Sequence, residues 1–254
     1  MRRALLWLSP LTLGWLLAAC PHRGPSPPGS RFETAPALIE AMIEKGRKIG
    51  AIRASGTVEM RQGNKRIKAR VLYLARRPAE LRFETESFFD QPMSILVFDG
   101  RELVAWDLNE GRILRGPASP ANISRLIPVP MEAGVVVGLL MGEPPLIRFQ
   151  RALLDRQGDR YRLQLEGEGQ TERLLVDPGS LRPLEVHCEL DGKPTFHLHY
   201  QDWGEHAPRR VQFEMPAEGL KLKIRIREIE IDPKLDDALF HLEPPEGAEV
   251  EELD

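Results

Sequence analysis

Cys20 and Cys188 are the only cysteines in this chain of 254 residues. Two cysteines cannot form a disulfide framework, so the fold must rest on its hydrophobic core. Positive charge is not in excess either. The 35 Lys and Arg residues face 38 Asp and Glu, for a net charge of −3, which argues against a nucleic-acid partner. Serine and cysteine nucleophile motifs, glycine-rich phosphate loops and zinc-ligand cysteine pairs are missing as well. The motifs therefore assign no catalytic residue, no cofactor and no metal. What is present is ordinary for a globular protein, with 42% apolar and 29% charged residues, and a single domain of about 200 residues is the natural expectation.

One apolar run stands out, from Ala4 to Ala19 behind Arg2 and Arg3. Ser9-Pro10 and Gly14 interrupt it, and it is too short to span a bilayer comfortably. A basic start, a short apolar stretch and a small-residue exit predict a secretory signal over residues 1–19. The exit, Leu17-Ala18-Ala19-Cys20, resembles a bacterial lipobox. That resemblance implies cleavage before Cys20 and acylation of its thiol and new amino group. A plain signal peptide or a simple anchor helix is the alternative. Cleavage would leave 235 residues with a net charge of −5, since the removed segment holds two Arg and no acid. Each buried methylene contributes about 0.8 kcal/mol, so several acyl chains hold a protein on the membrane almost permanently. Pro21, not Asp, follows the cysteine, and by the same resemblance this favours the outer membrane. With Cys20 acylated, Cys188 has no partner within the chain.

Residues 20–33 continue as a Pro/Gly/Ser-rich tether. The folded domain is expected over 34–247, with an acidic, solvated tail at 248–254. Thr34 as N-cap, Pro36 in the first turn and a stripe of Leu38, Ile39, Met42, Ile43 and Ile49 predict a helix ending near Gly50. From Ala51 the period changes to two. Val58 and Met60 alternate with Thr57 and Glu59, Gly63-Asn64 turns the chain, and Val71 and Tyr73 oppose Lys68 and Arg70. Leu81 and Phe83 continue the pattern, and strands follow at Met93–Phe98, Glu102–Asp107 and Arg112–Arg115. Such spacing indicates an antiparallel meander. Prolines 117, 120, 128 and 130 interrupt it and predict helices, one from Ser119 or Pro120 to Leu126 and one over Met131–Met141. The second is apolar on nearly every side, so it must be covered or cover something. Alternation resumes at Tyr161–Leu165 and continues through 171–176, 181–190, 195–200 and 209–214. The last strand, Leu220–Ile231, flips phase after Arg227, which predicts a bulge.

This order of elements resembles the LolA/LolB-type lipoprotein carrier and receptor superfamily. The resemblance rests on Ala54-Ser55-Gly56, on Ser87-Phe88-Phe89-Asp90-Gln91-Pro92 and on the stretch Arg115 to Asn122. Pro128-Val129-Pro130 with Leu139-Leu140-Met141-Gly142, and Phe240 to Gly247, also carry it. It spans nearly the whole mature chain and implies a mainly β fold with α: a half-open antiparallel β-barrel whose N-terminal helix and helical insertion cover a concave, acyl-binding face. With the lipobox it implies the membrane-anchored receptor type, on the periplasmic side of the outer membrane of a Gram-negative bacterium. The implied partners are acyl chains of lipoproteins or lipids, the membrane through the lipid anchor, and a soluble periplasmic carrier. No catalytic residue is implied.

Alternation places Val58, Met60, Val71, Tyr73, Leu81, Phe83, Phe196, Leu198, Leu222, Ile224 and Ile226 on one inner face. That face either lines an acyl cavity or packs as a closed core. Phe88 and Phe89 fall in the connection between two strands, where the resemblance implies a membrane-facing or cargo-delivery loop; packing as rim core is the alternative. His187, His197 and His199 fall on the polar face. An odd loop, Asp191-Gly192-Lys193, would put His187 opposite His197 and Glu185 opposite His199. Such a patch has the donor types for zinc, but a solvated outer face explains it as well and no metal is assigned. A lipid-binding receptor and a non-catalytic envelope sensor or interaction module both fit this sequence.

Overall fold

The computed structural model describes residues 32–127 and 131–254. The signal segment, Cys20 and most of the tether lie outside the described residues. The chain begins with α1 (Ala35–Gly46), whose buried residues Ala35, Leu38, Ile39 and Met42 form the expected stripe. It stops at Gly46, before Gly50. A Cβ at Gly46 would lie 2.0 Å from the Glu143 carboxylate, so the helix end is held tightly against the segment that follows the helical insertion. Gly50 instead leads into the sheet, its N–H donating to Asp232 Oδ1 at 2.7 Å.

Six strands follow: β1 (Ala51–Gln62), β2 (Lys65–Arg76), β3 (Glu80–Glu86), β4 (Pro92–Phe98), β5 (Glu102–Asp107) and β6 (Arg112–Pro117). The helical insertion holds α2 (Pro120–Leu126) and α3 (Ala133–Leu140). Ser119 caps α2, its side chain accepting from the Asn122 N–H at 3.2 Å. Seven further strands run as β7 (Arg151–Gln157), β8 (Arg160–Gly167), β9 (Gln170–Val176), β10 (Pro183–Leu190), β11 (Lys193–Trp203), β12 (Pro208–Met215) and β13 (Leu220–Ile231). The last element is β14 (Val250–Glu252).

All these strands form one sheet in the order β14-β6-β5-β4-β3-β2-β1-β13-β12-β11-β10-β9-β8-β7. Every pairing is antiparallel except β14 with β6. The sheet does not close, since β14 and β7 stand at opposite edges. This is the mainly β, half-open architecture that the resemblance implies, built from the antiparallel meander that the alternation indicates. β6 and β7 are consecutive in the chain yet far apart in the sheet, so the helical insertion between them must cross from one half to the other. That crossing explains the composition of α3. Val136, Val137, Leu140 and Met141 pack with Ile52, Tyr73, Leu81 and Phe98 in one cluster. Leu139 joins a second cluster with α1 and Leu163, Leu174, Leu198 and Phe213. A helix gripped by both halves has little need of a polar side.

The expected bulge is present. Ser55 pairs with Glu228 but Gly56 pairs with Ile226, leaving Arg227 as the extra residue. The chains approach so closely there that a Cβ on Gly56 would lie 2.0 Å from the Arg225 carbonyl oxygen.

The alternation pattern misses two strands. β7 follows directly on the insertion, and its adjacent Leu153 and Leu154 blur the alternation. β14 lies within the stretch expected to be a solvated acidic tail, and its pairing corrects that expectation. Val250–Glu252 pair in parallel with Ile113–Arg115, and Leu253, 6% exposed, enters the main cluster. Its N–H donates to the Arg115 carbonyl at 2.6 Å. A single valine and a single leucine among acids carry too little periodicity to announce a strand.

A third cluster lies on the opposite, convex side, where Phe240 packs with Leu74 and Val97. The sheet and its three hydrophobic clusters are thus built within residues 32–254. A chain beginning at Cys20 therefore keeps every described residue of these clusters.

Candidate functional site: an apolar cavity on the concave face

An apolar cavity of about 480 Å³ lies between the concave face and the helical insertion. The sheet contributes Val58 and Met60 from β1, Phe83 from β3, Val211 and Phe213 from β12, and Leu222 and Ile224 from β13. The insertion contributes Leu126 and Ile127 at the end of α2 and Val136, Leu139 and Leu140 from α3. Asp107, Glu110, Arg112 and Arg125 add the polar part of the lining, at the β5–β6 turn and on α2. Ile67 also lines it while remaining 45% exposed, so the cavity reaches solvent beside the β1–β2 hairpin.

Strand period explains the lining. Leu222 and Ile224 alternate with Lys221, Lys223 and Arg225, and the register sets Val58 opposite Ile224 and Met60 opposite Leu222. Neighbouring strands thus present one continuous apolar surface.

Of the eleven residues expected to line this face, Val58, Met60, Phe83, Leu222 and Ile224 border the cavity. Val71, Tyr73, Leu81 and Ile226 share the face but are packed into the first cluster. Phe196 and Leu198 pack into the second. Val58, Phe83 and Ile224 also belong to the first cluster and Leu222 to the second, so these residues stand where each cluster meets the cavity, opposite Val136, Leu139 and Leu140 of α3. The Tyr73 hydroxyl is fully buried with no hydrogen-bond partner among the described residues, and burial pushes its pKa upward. Residues missed from sequence include Ile67, Val211 and Phe213, which share the same alternation, and Leu126, Ile127 and Leu139, which only helix placement brings in.

Phe88 and Phe89 occupy the tight turn between β3 and β4. Ser87 Oγ accepts the backbone N–H groups of Phe89 and Gln91, each at 3.2 Å, and Asp90 takes a left-handed φ of 62°. Phe88 is 50% and Phe89 85% exposed. The rim-core alternative therefore does not hold. The Lys68 ammonium lies 5.3 Å from the centre of the Phe88 ring.

On the convex face, His187 pairs with His197 and Glu185 with His199, as expected. The route differs from the one the sequence suggests. The turn has two residues, Asp191 and Gly192, and a bulge at Thr195 restores the parity. The His187 and His197 rings are 4.5 Å apart, and His187 Nε2 lies 3.6 Å from Glu185. Burial, then the neighbouring His187, lower the His197 pKa. Among the described residues no three His, Cys, Asp or Glu side chains are arranged to hold a metal ion.

No protein-family model matches this sequence, and no curated protein does. Solved structures do match. A LolA superfamily protein from Nitrosomonas europaea superposes with a TM-score of 0.55 at 16% identity, over 80% of this chain and 97% of that one. The fold is LolA-like. A DUF1329 family protein from Desulfovibrio piger gives a TM-score of 0.57 at 12% identity, over 82% and 95%. An outer membrane lipoprotein-sorting protein domain from Vibrio parahaemolyticus gives 0.53 at 9%, over 82% and 97%. The LolA-like resemblance carried by the order of elements in the sequence thus holds for the fold.

Proposed function

We propose that this protein is a non-catalytic, membrane-anchored lipid-binding protein of the periplasm. It accepts acylated cargo, such as lipoproteins, into the concave cavity and helps localise it to the outer membrane. The observation that carries this reading is the cavity of about 480 Å³ walled by aliphatic and aromatic side chains, a size and polarity suited to an acyl chain. A sensor or interaction module on the same fold would be better served by a packed interior, so the open cavity favours cargo binding. In this reading Cys20 is the lipid attachment point and the membrane-anchored, LolB-type arrangement applies. Phe88 and Phe89 form the delivery loop, and a soluble periplasmic carrier hands over the cargo. Support comes from the Leu17-Ala18-Ala19-Cys20 exit in the sequence and from the exposure of both rings.

The test uses residues 20–254 with Cys20→Ser, purified, extracted and analysed by mass spectrometry for bound lipid. Co-purifying acyl chains, displaced by a fluorescent fatty acid, are the expected result. Ile224→Glu should abolish that binding, because a carboxylate in an apolar cavity is strongly disfavoured. A folded Ile224→Glu protein that binds the fatty acid normally would place the acyl site elsewhere. For the anchor, the full chain carrying Cys20→Ser should lose its acylated mass and leave the membrane fraction.

A further inference from the structure

The convex face of β2, β1, β13 and β12 gathers positive charge in a protein whose net charge is negative. β13 presents Lys221, Lys223 and Arg225 to that side while Leu222 and Ile224 face the cavity. The register carries the charge across neighbouring strands. Arg225 stands directly opposite Arg210 of β12, which is paired with Asp202 at 2.7 Å, so Arg225 itself is left uncompensated. Lys223 and Lys68 both stand opposite Glu59, one on each side of β1. Glu59 is already engaged by Arg61 at 2.7 Å and Arg66 at 3.2 Å. Among the described residues, Lys68, Lys223 and Arg225 have no carboxylate within 4.0 Å. The crowding registers on Lys223, whose pKa is lowered by burial and then by Arg225 and Arg210.

This patch is continuous with the aromatic turn. Lys68 stands over the Phe88 ring, and β2 pairs with the end of β3 from which the turn emerges, through Arg70 and Glu86. The turn itself carries Glu86 and Asp90, which both pair with Arg70, so Phe89, 85% exposed, meets the cationic surface on its Lys68 side. A basic field edged by exposed aromatics suits an anionic bilayer, where phosphates meet the cations and the rings enter the acyl boundary. An acidic protein would answer the charge but not the rings.

We propose that the convex face around Lys68, Lys223 and Arg225 is a docking surface for anionic lipid headgroups, with Phe88 and Phe89 inserting at its edge. It rests on the membrane-facing reading of that turn, and it orients the domain independently of the N-terminal anchor and of the contents of the cavity.

The experiment uses residues 20–254 with Cys20→Ser, free of cargo, co-sedimented with vesicles. One set is phosphatidylcholine alone and the other contains about a third phosphatidylglycerol, enough to give a negative surface potential. The protein should bind the anionic vesicles selectively, and binding should weaken steeply as salt shortens the screening length from about 10 Å to about 3 Å. Each surface cation contributes about 1 kcal/mol, a factor of about five, so Lys68→Gln with Lys223→Gln and Arg225→Gln should weaken binding roughly a hundredfold. Arg151→Gln with Arg160→Gln and Arg162→Gln makes the same change in net charge at the far edge of the sheet and should leave binding within about twofold. Three results would overturn the proposal: a face variant that binds like the parent, an edge variant that loses as much, or equal binding to both vesicles. Fatty-acid binding measured on the same proteins reports on the cavity separately. Its loss with vesicle binding intact would count against cargo binding and leave the docking face standing.

Discussion

Glu172 gives the sharpest quantitative prediction. It sits on β9 between Leu165 of β8 and Cys188 of β10, and it is fully buried. Its Oε2 accepts the Ile147 N–H at 2.8 Å, while its Oε1 has no partner among the described residues. Burial dominates that single hydrogen bond, and the pKa is pushed up from 4.5 to about 8. The carboxyl is therefore mostly protonated in the folded protein at neutral pH and ionised in the unfolded chain. A raised folded pKa contributes stability that is fully present below about pH 4.5 and lost as pH rises to about 8. Across that window each step of one in pH removes about 1.4 kcal/mol, so the loss reaches about 5 kcal/mol at the alkaline end. That is large beside the roughly 5–15 kcal/mol that holds a typical domain together. Glu172→Gln keeps an acceptor for Ile147 and cannot ionise. Denaturant unfolding of residues 20–254 (Cys20→Ser) from pH 5 to pH 9 should show the parent losing stability through this window. In the Gln variant that component should be missing, so the difference between the two proteins grows with pH and flattens above about pH 8. Parallel pH profiles would refute the reasoning and mean that the carboxylate is solvated or paired.

Three further outcomes test other parts of the structure. Changing Phe88 and Phe89 to Ser should alter stability by no more than about 0.5 kcal/mol, as for most surface sites, yet slow delivery of acylated cargo to liposomes; a strongly destabilised but transfer-competent protein would contradict this. Leu253→Ala should cost about 2–5 kcal/mol in thermal or denaturant unfolding, because Leu253 is buried in the main cluster, and an unchanged midpoint would restore the solvated tail. Gly56→Ala should cost about 1–3 kcal/mol, since its Cβ would collide with the Arg225 carbonyl, and a neutral effect would mean that the bulge relaxes freely.

Much of this fold is written locally. Two-residue alternation separated the two faces on β1, β2, β3, β8, β10, β11 and β13, because successive side chains on a strand must point to opposite faces. The broken phase after Arg227 located the bulge, and the prolines with Glu132 and Gly142 bounded the insertion. Local pattern failed where it was thin, at β7 with its paired leucines and at β14 among acids. It also could not say which inner residues remain open. Val71 and Ile224 carry the same signal and join the same cluster with α3, yet of the two Ile224 alone borders the cavity. The sequence determined which face is apolar, where the chain turns and that an unusually apolar helix needed cover. Only the tertiary structure decided that this helix spans both halves of an open sheet, that an acidic stretch closes one edge, and where empty space is left. Faces follow from backbone geometry within a strand, whereas cavities are set by how far separate elements can approach before their side chains collide.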